Sequence, residues 1–314
     1  MYRNILVPLD GSTFSEHALP LAIGLARRAQ ATLRLVHVRN PLGAVYAEAA
    51  VAYDSDLDRE LKLREETYLE DLAARVRSAA GVSARVALLE GPVAPAIQAA
   101  VAGTESQLVV MTTHGRGPFA RAWLGSVADE LTRSLPVPLL LVRPGEDTPD
   151  LARDVALRHL LLPLDGSALA EAMIEPALTL GTLSDADYTL LRVIKPILPI
   201  PHETEAAALN ARIILAMRAK IEEMQHAMHR DAQSYLDAVA QRLRERSFRV
   251  HTKVAVESQP AIAILREAVP PAIDAVALEA HGRHGLPRLF LGSVADKVIR
   301  GAAVPVLVHR PSHP

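Results

Sequence analysis

The chain has 314 residues, of which 50% are hydrophobic and 22% are charged, which is enough apolar side chain for two globular domains and too little net charge for a disordered chain. The 34 Lys and Arg residues nearly balance the 36 Asp and Glu residues, and aromatic residues make up only 4%, so we expect no nucleic-acid partner. The longest stretch without a charged residue, 91–104, contains two prolines and two glycines, so we expect no membrane insertion. The first residues hold too short an apolar run for a secretory signal, and a cytoplasmic location is the expectation.

The first half predicts alternating strands and helices. Hydrophobic periodicity and turn residues indicate strands at 5–9, 33–38, 83–89, 108–111 and 139–143, and helices at 14–29, 57–80, 93–102 and 126–134. Thr13 and Glu16 have the spacing of a capping box at the first helix. The turn-forming residues 144–150 indicate a linker.

The second half repeats the first. Residues 3–12 return as 158–167 at an offset of 155, and residues 114–129 return as 281–296 at an offset of 167. We therefore predict two domains, 1–146 and 153–314, with about twelve extra residues in the second, placed within 196–230. The strands predicted there are 157–164, 188–194, 248–256, 275–278 and 306–308, and a long helix covers 206–246.

Strands separated by helices predict an α/β fold, with two tandem doubly wound five-stranded parallel-sheet domains and ligands at the carboxyl ends of the strands. Asp10 ends the first strand, His114, Gly115 and Arg116 follow the fourth, and Gly125-Ser126 begins the next helix. A helix start with glycine suits a phosphate, and Arg116 suits a charge-assisted contact. Ordinary structural roles stay open: a helix cap at Gly125-Ser126, a turn cap at Asp10 and a packed loop histidine at His114.

These motifs resemble the universal stress protein family. The resemblance rests on residues 8–12, on 113–116 and on the nine residues that separate Gly115 from Gly125-Ser126-Val127, and it covers both halves. It implies an adenine nucleotide alpha hydrolase-like fold, an internal pseudo-dimer and a cytoplasmic role in stress survival. It also implies ATP as the ligand, with or without Mg²⁺. Unknown protein partners are expected, and association of two chains into a homodimer stays open.

The resemblance places the nucleotide on matching positions of both halves. In the first half these are Pro8, Asp10, Val38, Thr112, His114, Gly115, Arg116, Gly125, Ser126 and Val127. In the second half they are Pro163, Asp165, Val193, Gly282, Arg283, Gly292, Ser293 and Val294. The sequence departs from the family pattern where a first glycine is expected, since Thr112 and Glu279 stand there. A carboxylate beside a triphosphate is repulsive, so we expect the first half to bind ATP more tightly.

The sequence favours an ATP-binding regulatory module without strong catalysis, because it contains no evident nucleophile, Walker lysine loop or metal-binding helix motif. An interaction protein with a degenerate pocket and a weak ATPase are the alternatives. His226 and His229 share a helix face, but no recognised ligand cluster supports them, and we predict no metal. The proline-rich segment 196–201 fits a lid, an interface or an ordinary surface loop, and the strands after Val137 and Val304 fit a domain interface or plain core packing.

Overall fold

The computed structural model describes residues 2–40, 55–113, 124–197, 211–280 and 291–310. In the first half, the strands are β1 (Asn4–Leu9), β2 (Thr32–Arg39), β3 (Ala84–Glu90), β4 (Leu108–Thr112) and β5 (Leu139–Val142). The helices are α1 (Thr13–Glu16), α2 (Leu19–Ala29), α3 (Ser55–Ala80), α4 (Val93–Gly103) and α5 (Ser126–Ser134). The predicted alternation of strand and helix is present throughout this half.

The second half has the same element order. Its strands are β6 (His159–Pro163), β7 (Asp187–Ile194), β8 (Arg249–Val256), β9 (Ala275–Glu279) and β10 (Val306–His309). Its helices are α6 (Ala168–Glu171), α7 (Ile174–Gly181), α8 (Ala211–Glu245), α9 (Pro260–Glu267) and α10 (Ser293–Gly301), with a 3₁₀ turn at Thr182–Ser184. The amino-terminal five residues of the predicted long helix, 206–210, lie outside the described residues.

All strands of each half pair in parallel, in the order β3-β2-β1-β4-β5 and its counterpart β8-β7-β6-β9-β10. Pro8 is in register with Val36 on β2, and Pro163 is in register with Leu191 on β7. Because the two registers coincide at an offset of 155, equivalent side chains of the two halves occupy equivalent places in the sheet. The carboxyl ends of β1 and β4, and of β6 and β9, lie side by side.

The two halves form one continuous ten-stranded sheet. Strands β5 and β10 pair antiparallel, with Leu140 opposite Leu307. Arg28 on α2 also pairs with Asp154 of the connecting segment at 2.8 Å, and Arg310 donates to the backbone carbonyl oxygen of Arg133. Backbone hydrogen bonds and side chains therefore both join the halves.

The core lies on both faces of this sheet. Ile5 and Val7 point to one face and Leu6 to the other, and all three are fully buried. The near-continuous aliphatic runs of these strands reflect this two-sided burial, which parallel sheets require. Helices α2, α3, α7 and α8 cover one face, while α4, α5, α9 and α10 cover the other.

Two local predictions were wrong. The predicted helix 14–29 is divided, because Pro20 lacks an amide proton and its ring would clash with the carbonyl of Glu16, so α1 ends at Glu16 and α2 begins at Leu19. The capping box is absent, since the N-cap of α1 is Ser12, whose side chain accepts from the amide of Ser15. Glu16 instead reaches α3.

The extra residues of the second half lie between β7 and the middle of α8. Equivalent residues are 155 positions apart at the ends of β2 and β7, where Arg39 corresponds to Ile194. They are 167 positions apart at Tyr68 and Tyr235, which correspond because each donates a hydrogen bond to the glutamate that ends the first short helix of its half. The described residues include no helix long and apolar enough to cross a membrane.

Candidate functional site

The carboxyl edge of the first half encloses a cavity of about 350 Å³. Its polar boundary is formed by the ends of β1 and β4 and by the start of α5, and its apolar boundary includes Val93 and Ile97 of α4. Seven of the predicted site residues line it: Pro8, Asp10, Val38, Thr112, Gly125, Ser126 and Val127. The structure therefore brings together residues that are more than 100 positions apart in the chain.

The β1–α1 turn holds Asp10 at the edge of this cavity. Gly11 has φ = 78°, a left-handed conformation that favours glycine. The Asp10 carboxylate accepts hydrogen bonds from the amide of Ser12 at 2.9 Å and from its hydroxyl, and the Ser12 hydroxyl accepts from the Ser15 amide at 3.3 Å. Asp10 thus has the turn-capping role that the sequence left open, in a position that also borders the cavity.

The second half repeats this turn. Gly166 has φ = 84°, Asp165 accepts from the amide of Ser167 at 2.9 Å, and the Ser167 hydroxyl accepts from the Ala170 amide at 3.2 Å. The repeated sequence therefore encodes a repeated backbone structure.

The start of α5 presents backbone donors to the cavity. Gly125 is the N-cap, and because it has no side chain it cannot cap the first turn itself. Its own amide donates to the carbonyl of Thr113 at 2.8 Å, which fixes the helix start against the end of β4. The amides of the first turn and the helix dipole make this edge favourable for an anion.

The equivalent helix start in the second half has the same geometry. Gly292 is the N-cap of α10, and its amide donates to the carbonyl of Ala280 at 2.8 Å. Pro163 and Val193 lie near the ends of β6 and β7, as predicted, and Ser293 and Val294 begin α10. His114, Gly115, Arg116, Gly282 and Arg283 lie outside the described residues.

The two edges differ where β4 and β9 end. Glu279 occupies the place of Thr112, and both of its carboxylate oxygens are buried. Its in-register neighbour on β10 is His309, where the first half has Val142 beside Thr112. Burial lowers the pKa of His309. The second edge thus has the Glu279 carboxyl group beside an imidazole whose neutral form is favoured by burial. The first edge has a threonine beside a valine at these positions.

Sequence reasoning missed an ion cluster around a buried arginine, Arg39, which follows the cavity residue Val38. Arg39, whose side chain is 4% exposed, pairs with Asp58 at 2.6 Å, Glu65 at 3.0 Å and Glu90 at 3.2 Å. This arginine joins the ends of β2 and β3 to α3. The only sequence signal was a charged residue at the end of an otherwise aliphatic strand, a signal that a solvent-facing side chain would also give.

A second missed feature is a three-residue cluster present in both halves. Glu16 accepts from the Tyr68 hydroxyl at 3.2 Å and pairs with Arg75 at 3.3 Å. The equivalent residues of the second half are Glu171, Tyr235 and Arg242, with distances of 3.0 and 2.7 Å from Glu171. Burial first, and the neighbouring glutamate second, raises the pKa of both tyrosines. Comparing the helices at an offset of 167 would have found this repeat.

Arg192 further distinguishes the second edge. It occupies the place of His37, whose Nδ1 is 2.8 Å from the carbonyl oxygen of Leu9. The Arg192 guanidinium carbon lies 4.7 Å from the centre of the Tyr235 ring, and its nitrogens lie 3.4 Å from where a Cβ on Gly166 would be. A cation therefore stands beside the Asp165 turn, at the position where the first half has the imidazole of His37.

The fold and this edge define an α/β protein with two doubly wound halves, each with its polar residues at the carboxyl ends of the strands. The sequence profile described as "Universal stress protein family" matches residues 1–143 and 156–310. The chain belongs to the universal stress protein family, with two tandem domains of this type.

Individual relatives agree with this assignment. A universal stress protein of Mycolicibacterium smegmatis is 26% identical, over 98% of this chain and 97% of its own length. A universal stress protein of Thermus aquaticus is 33% identical over 46% of this chain and all of its own length. A crystal structure of a universal stress protein from Archaeoglobus fulgidus covers 98% of this chain and 96% of its own, with a TM-score of 0.66 and 19% identity, which shows the shared fold.

Proposed function

We propose that the first half binds an adenine nucleotide, ATP, with or without Mg²⁺, and that the chain acts as a regulatory module in stress survival without strong catalysis. The observation that carries this proposal is the cavity of about 350 Å³ bordered by Asp10, Val38 and the start of α5. Its volume falls within the range of about 300–1,000 Å³ that is usual for small-molecule sites.

The lining residues suit the parts of a nucleotide. The amides at Ser126 and Val127 would hold phosphate oxygens, since a helix start attracts anions. Val38, with the apolar side chains of α4, would contact the base, and the Asp10 carboxylate would accept from a ribose hydroxyl or a base amino group. Each role uses a group that already lies on the cavity wall.

The second half offers a less favourable place for a triphosphate. Glu279 brings a buried carboxylate to the end of β9, next to the start of α10. Repulsion between this carboxylate and phosphate oxygens weakens binding, so in our proposal ATP occupies the first half preferentially. Glu279 also favours the alternative that the second half serves as an interaction domain whose pocket holds no nucleotide.

The paired halves support a chain that is its own pseudo-dimer. Strands β5 and β10 supply an antiparallel contact between equivalent strands, and the carboxyl edges of both halves belong to one sheet. In our proposal the protein works in the cytoplasm, and nucleotide occupancy biases a surface that unknown protein partners recognise. The domain limits 1–146 and 153–314 stay a prediction.

Nucleotide analysis of freshly purified protein tests the proposal. Protein is denatured, the released small molecules are identified by mass spectrometry, and ATP binding is measured by calorimetry on the full chain. We expect ATP to bind the wild type and Gly125→Val to abolish tight binding, because the added side chain stands at the phosphate-facing helix start. Gly292→Val is the matched control and should leave the tight site intact.

Circular dichroism verifies that both variants are folded. No ATP binding by the wild type, or equal loss in the two variants, would refute nucleotide binding in the first half. Steady release of phosphate over many turnovers with Mg²⁺ would instead support the weak-ATPase alternative.

A further inference from the structure

A cavity of about 370 Å³, which we call the junction cavity, lies where the two halves meet. The first half contributes Arg28 of α2, and the connecting segment contributes Ala156 and Arg158. The second half contributes Ser184, Asp185, Asp187 and Arg249, which stand before or at the amino ends of β7 and β8. The junction cavity shares no lining residue with the cavity at the carboxyl edge of the first half, so it is a separate site.

The connecting segment is held against α2 at this cavity. The Arg28 guanidinium donates to the carbonyl oxygen of Val155 at 3.1 Å. A Cβ on Gly24 would lie 2.1 Å from the same oxygen, so the close approach requires glycine. Asp274, which does not line the cavity, accepts from the backbone amide of Arg158 at 2.8 Å. These contacts fix the backbone from which the Arg28 and Arg158 side chains extend.

Two polar groups of the wall have no partner among the residues that the structure describes. The Ser184 Oγ atom is buried and makes no hydrogen bond there. The guanidinium of Arg158, an exposed residue, makes no hydrogen bond or ion pair with the described residues either. A buried hydroxyl normally has a hydrogen-bond partner, and a guanidinium carries five N–H donors in a fixed fork. The junction cavity therefore offers donors to a ligand.

The charges around the cavity leave one cation in excess. Three aspartates and three arginines are joined by ion pairs: Asp185 and Asp187 with Arg249, and Asp154 with Arg27 and Arg28. The hydrogen bond from Arg28 lowers the pKa of Asp154, and of the charges that act on this carboxyl group Arg158 contributes least. Among the lining residues and their ion-pair partners, the charge of Arg158 is thus the one left uncompensated, which favours an anion.

The first half has no equivalent set of charges. Gln30 and Asp185 have the same left-handed backbone, with φ of 54° and 50°, and mark equivalent positions. Of the charged lining residues of the connecting segment and the second half, only Arg158 has a charged counterpart, Arg3. The other polar ones correspond to uncharged residues: Ala29 for Ser184, Gln30 for Asp185, Thr32 for Asp187 and Ser83 for Arg249. The charged cavity is therefore not required by the fold.

We propose that the junction cavity binds a phosphate group, held by the Arg158 guanidinium and the Ser184 hydroxyl. A guanidinium forms two parallel hydrogen bonds to phosphate, and a further phosphate oxygen is left to accept from the serine. A carboxylate has only two oxygens and cannot satisfy both groups in this way. The ligand would touch the connecting segment and the second half at once, so its binding stabilises their packing.

Calorimetric titration of the full chain with inorganic phosphate, in a buffer free of phosphate and sulfate, tests this site. Wild type and Gly125→Val should bind alike, because the two cavities share no residue. Arg158→Ala should weaken binding by about tenfold or more, and Ser184→Ala by about fivefold, since hydrogen bonds to a charged group are lost. Ser184→Ala should leave unfolding unchanged, because this hydroxyl has no partner among the described residues.

Arg153→Ala is the matched control, because it removes an exposed cation of the same segment from a position that does not line the cavity. It should leave phosphate affinity unchanged. No binding by the wild type, or equal losses in Arg158→Ala and Arg153→Ala, would overturn the proposal. A loss in Gly125→Val without one in Arg158→Ala would place the phosphate at the other cavity and overturn it too. Acetate that binds as tightly as phosphate would refute the assignment to a phosphate group.

A second titrant, glycerol 3-phosphate, identifies the source of the phosphate group. Tighter binding of this ester than of inorganic phosphate would indicate a phosphorylated metabolite, and weaker binding would indicate free phosphate. In both cases Arg158→Ala must weaken binding, with circular dichroism to verify that the variant is folded. Affinity for both titrants that does not depend on Arg158 would contradict the proposed site.

Discussion

The two halves keep the same backbone at one part of the carboxyl edge and change the side chains at the others. Both place an aspartate and a left-handed glycine in the turn after the first strand. In both, the aspartate carboxylate accepts a hydrogen bond of 2.9 Å from the backbone amide of the serine two residues later. At the end of the fourth strand, Thr112 is replaced by Glu279. The turn restricts which residues can stand in it. The side chain at the end of the fourth strand can change without altering the fold, and such a change alters the chemical groups at the edge.

The outer strands show a second contrast. Arg39 and Glu90 form an ion pair at the ends of β2 and β3, while the in-register residues at the ends of β7 and β8 are Ile194 and Val256. In the first half, ion pairs thus fasten the sheet edge to the covering helix. The second half has aliphatic side chains at these two positions. The difference implies that the stability of the first half depends more strongly on individual polar residues.

The largest expected effect comes from Arg39→Ile, which gives the first half the residue of the second. Asp58, Glu65 and Glu90 would lose their shared cation. The free energy of unfolding should fall by about 3 kcal/mol, the low end for a buried ion pair, because Asp58 is 15% exposed and keeps its charge, whereas solvent screens Glu65 and Glu90, which are 31% and 48% exposed. Urea denaturation followed by circular dichroism measures it.

The control for this variant is Ile194→Leu, a swap of similar volume that should cost less than about 1.5 kcal/mol. If Arg39→Ile were as mild as this control, the ion cluster would not stabilise the first half, and the proposed contrast between the two sheet edges would be wrong.

The repeated glutamate cluster gives the next effect. The side chain of Glu16 is 8% exposed and that of Glu171 is 29% exposed. Glu16→Ala should destabilise the protein by about 2 kcal/mol, because it leaves the half-buried Tyr68 hydroxyl without its glutamate acceptor. Glu171→Ala should cost about 1 kcal/mol, since solvent reaches the second cluster. Thermal unfolding of the two variants measures both losses of stability. A larger loss in Glu171→Ala than in Glu16→Ala would contradict the more deeply buried position of the first cluster.

The sequence repeat predicted much of this comparison. Hydrophobic periodicity located the ten strands and the order of the helices, because strands buried on both faces have continuous aliphatic runs. The repeated Asp10 and Asp165 turns were found because tight turns restrict residue type. Seven predicted site residues meet at one cavity because the parallel fold brings the carboxyl ends of its strands to one edge.

Other features could not be predicted from local sequence. The ion cluster at Arg39 depends on which helix residues face the strand end, and the buried state of Glu279 depends on packing from several elements. The helix break at Pro20 could have been found, since proline rarely continues a helix. The error came from giving hydrophobic spacing priority over a backbone constraint.

Ligand affinity gives a smaller effect, which tests the contrast at the cavity directly. Thr112→Glu introduces the carboxylate of the second half into the first, and repulsion of about 1 kcal/mol should weaken ATP binding about fivefold. Calorimetry on the full chain measures it. The reciprocal Glu279→Thr should leave the tight site unchanged, and any weak second site should strengthen. Unchanged affinity in Thr112→Glu would mean that this position does not face the phosphates.

The smallest expected effect is a change in pH dependence caused by His309. Burial lowers its pKa in the folded protein, while the unfolded chain takes up its proton near the ordinary value of about 6.5. Below that pH the unfolded state binds more protons at this site, so the wild type loses stability as the pH falls from neutral through about 6. His309→Val, which installs the residue of the first half, should flatten this part of the stability curve. Urea midpoints across this pH range measure it, with the exposed His226→Ala as the control variant. A slope as steep in His309→Val as in the wild type would show that the imidazole at the second edge does not contribute to the loss of stability in acid.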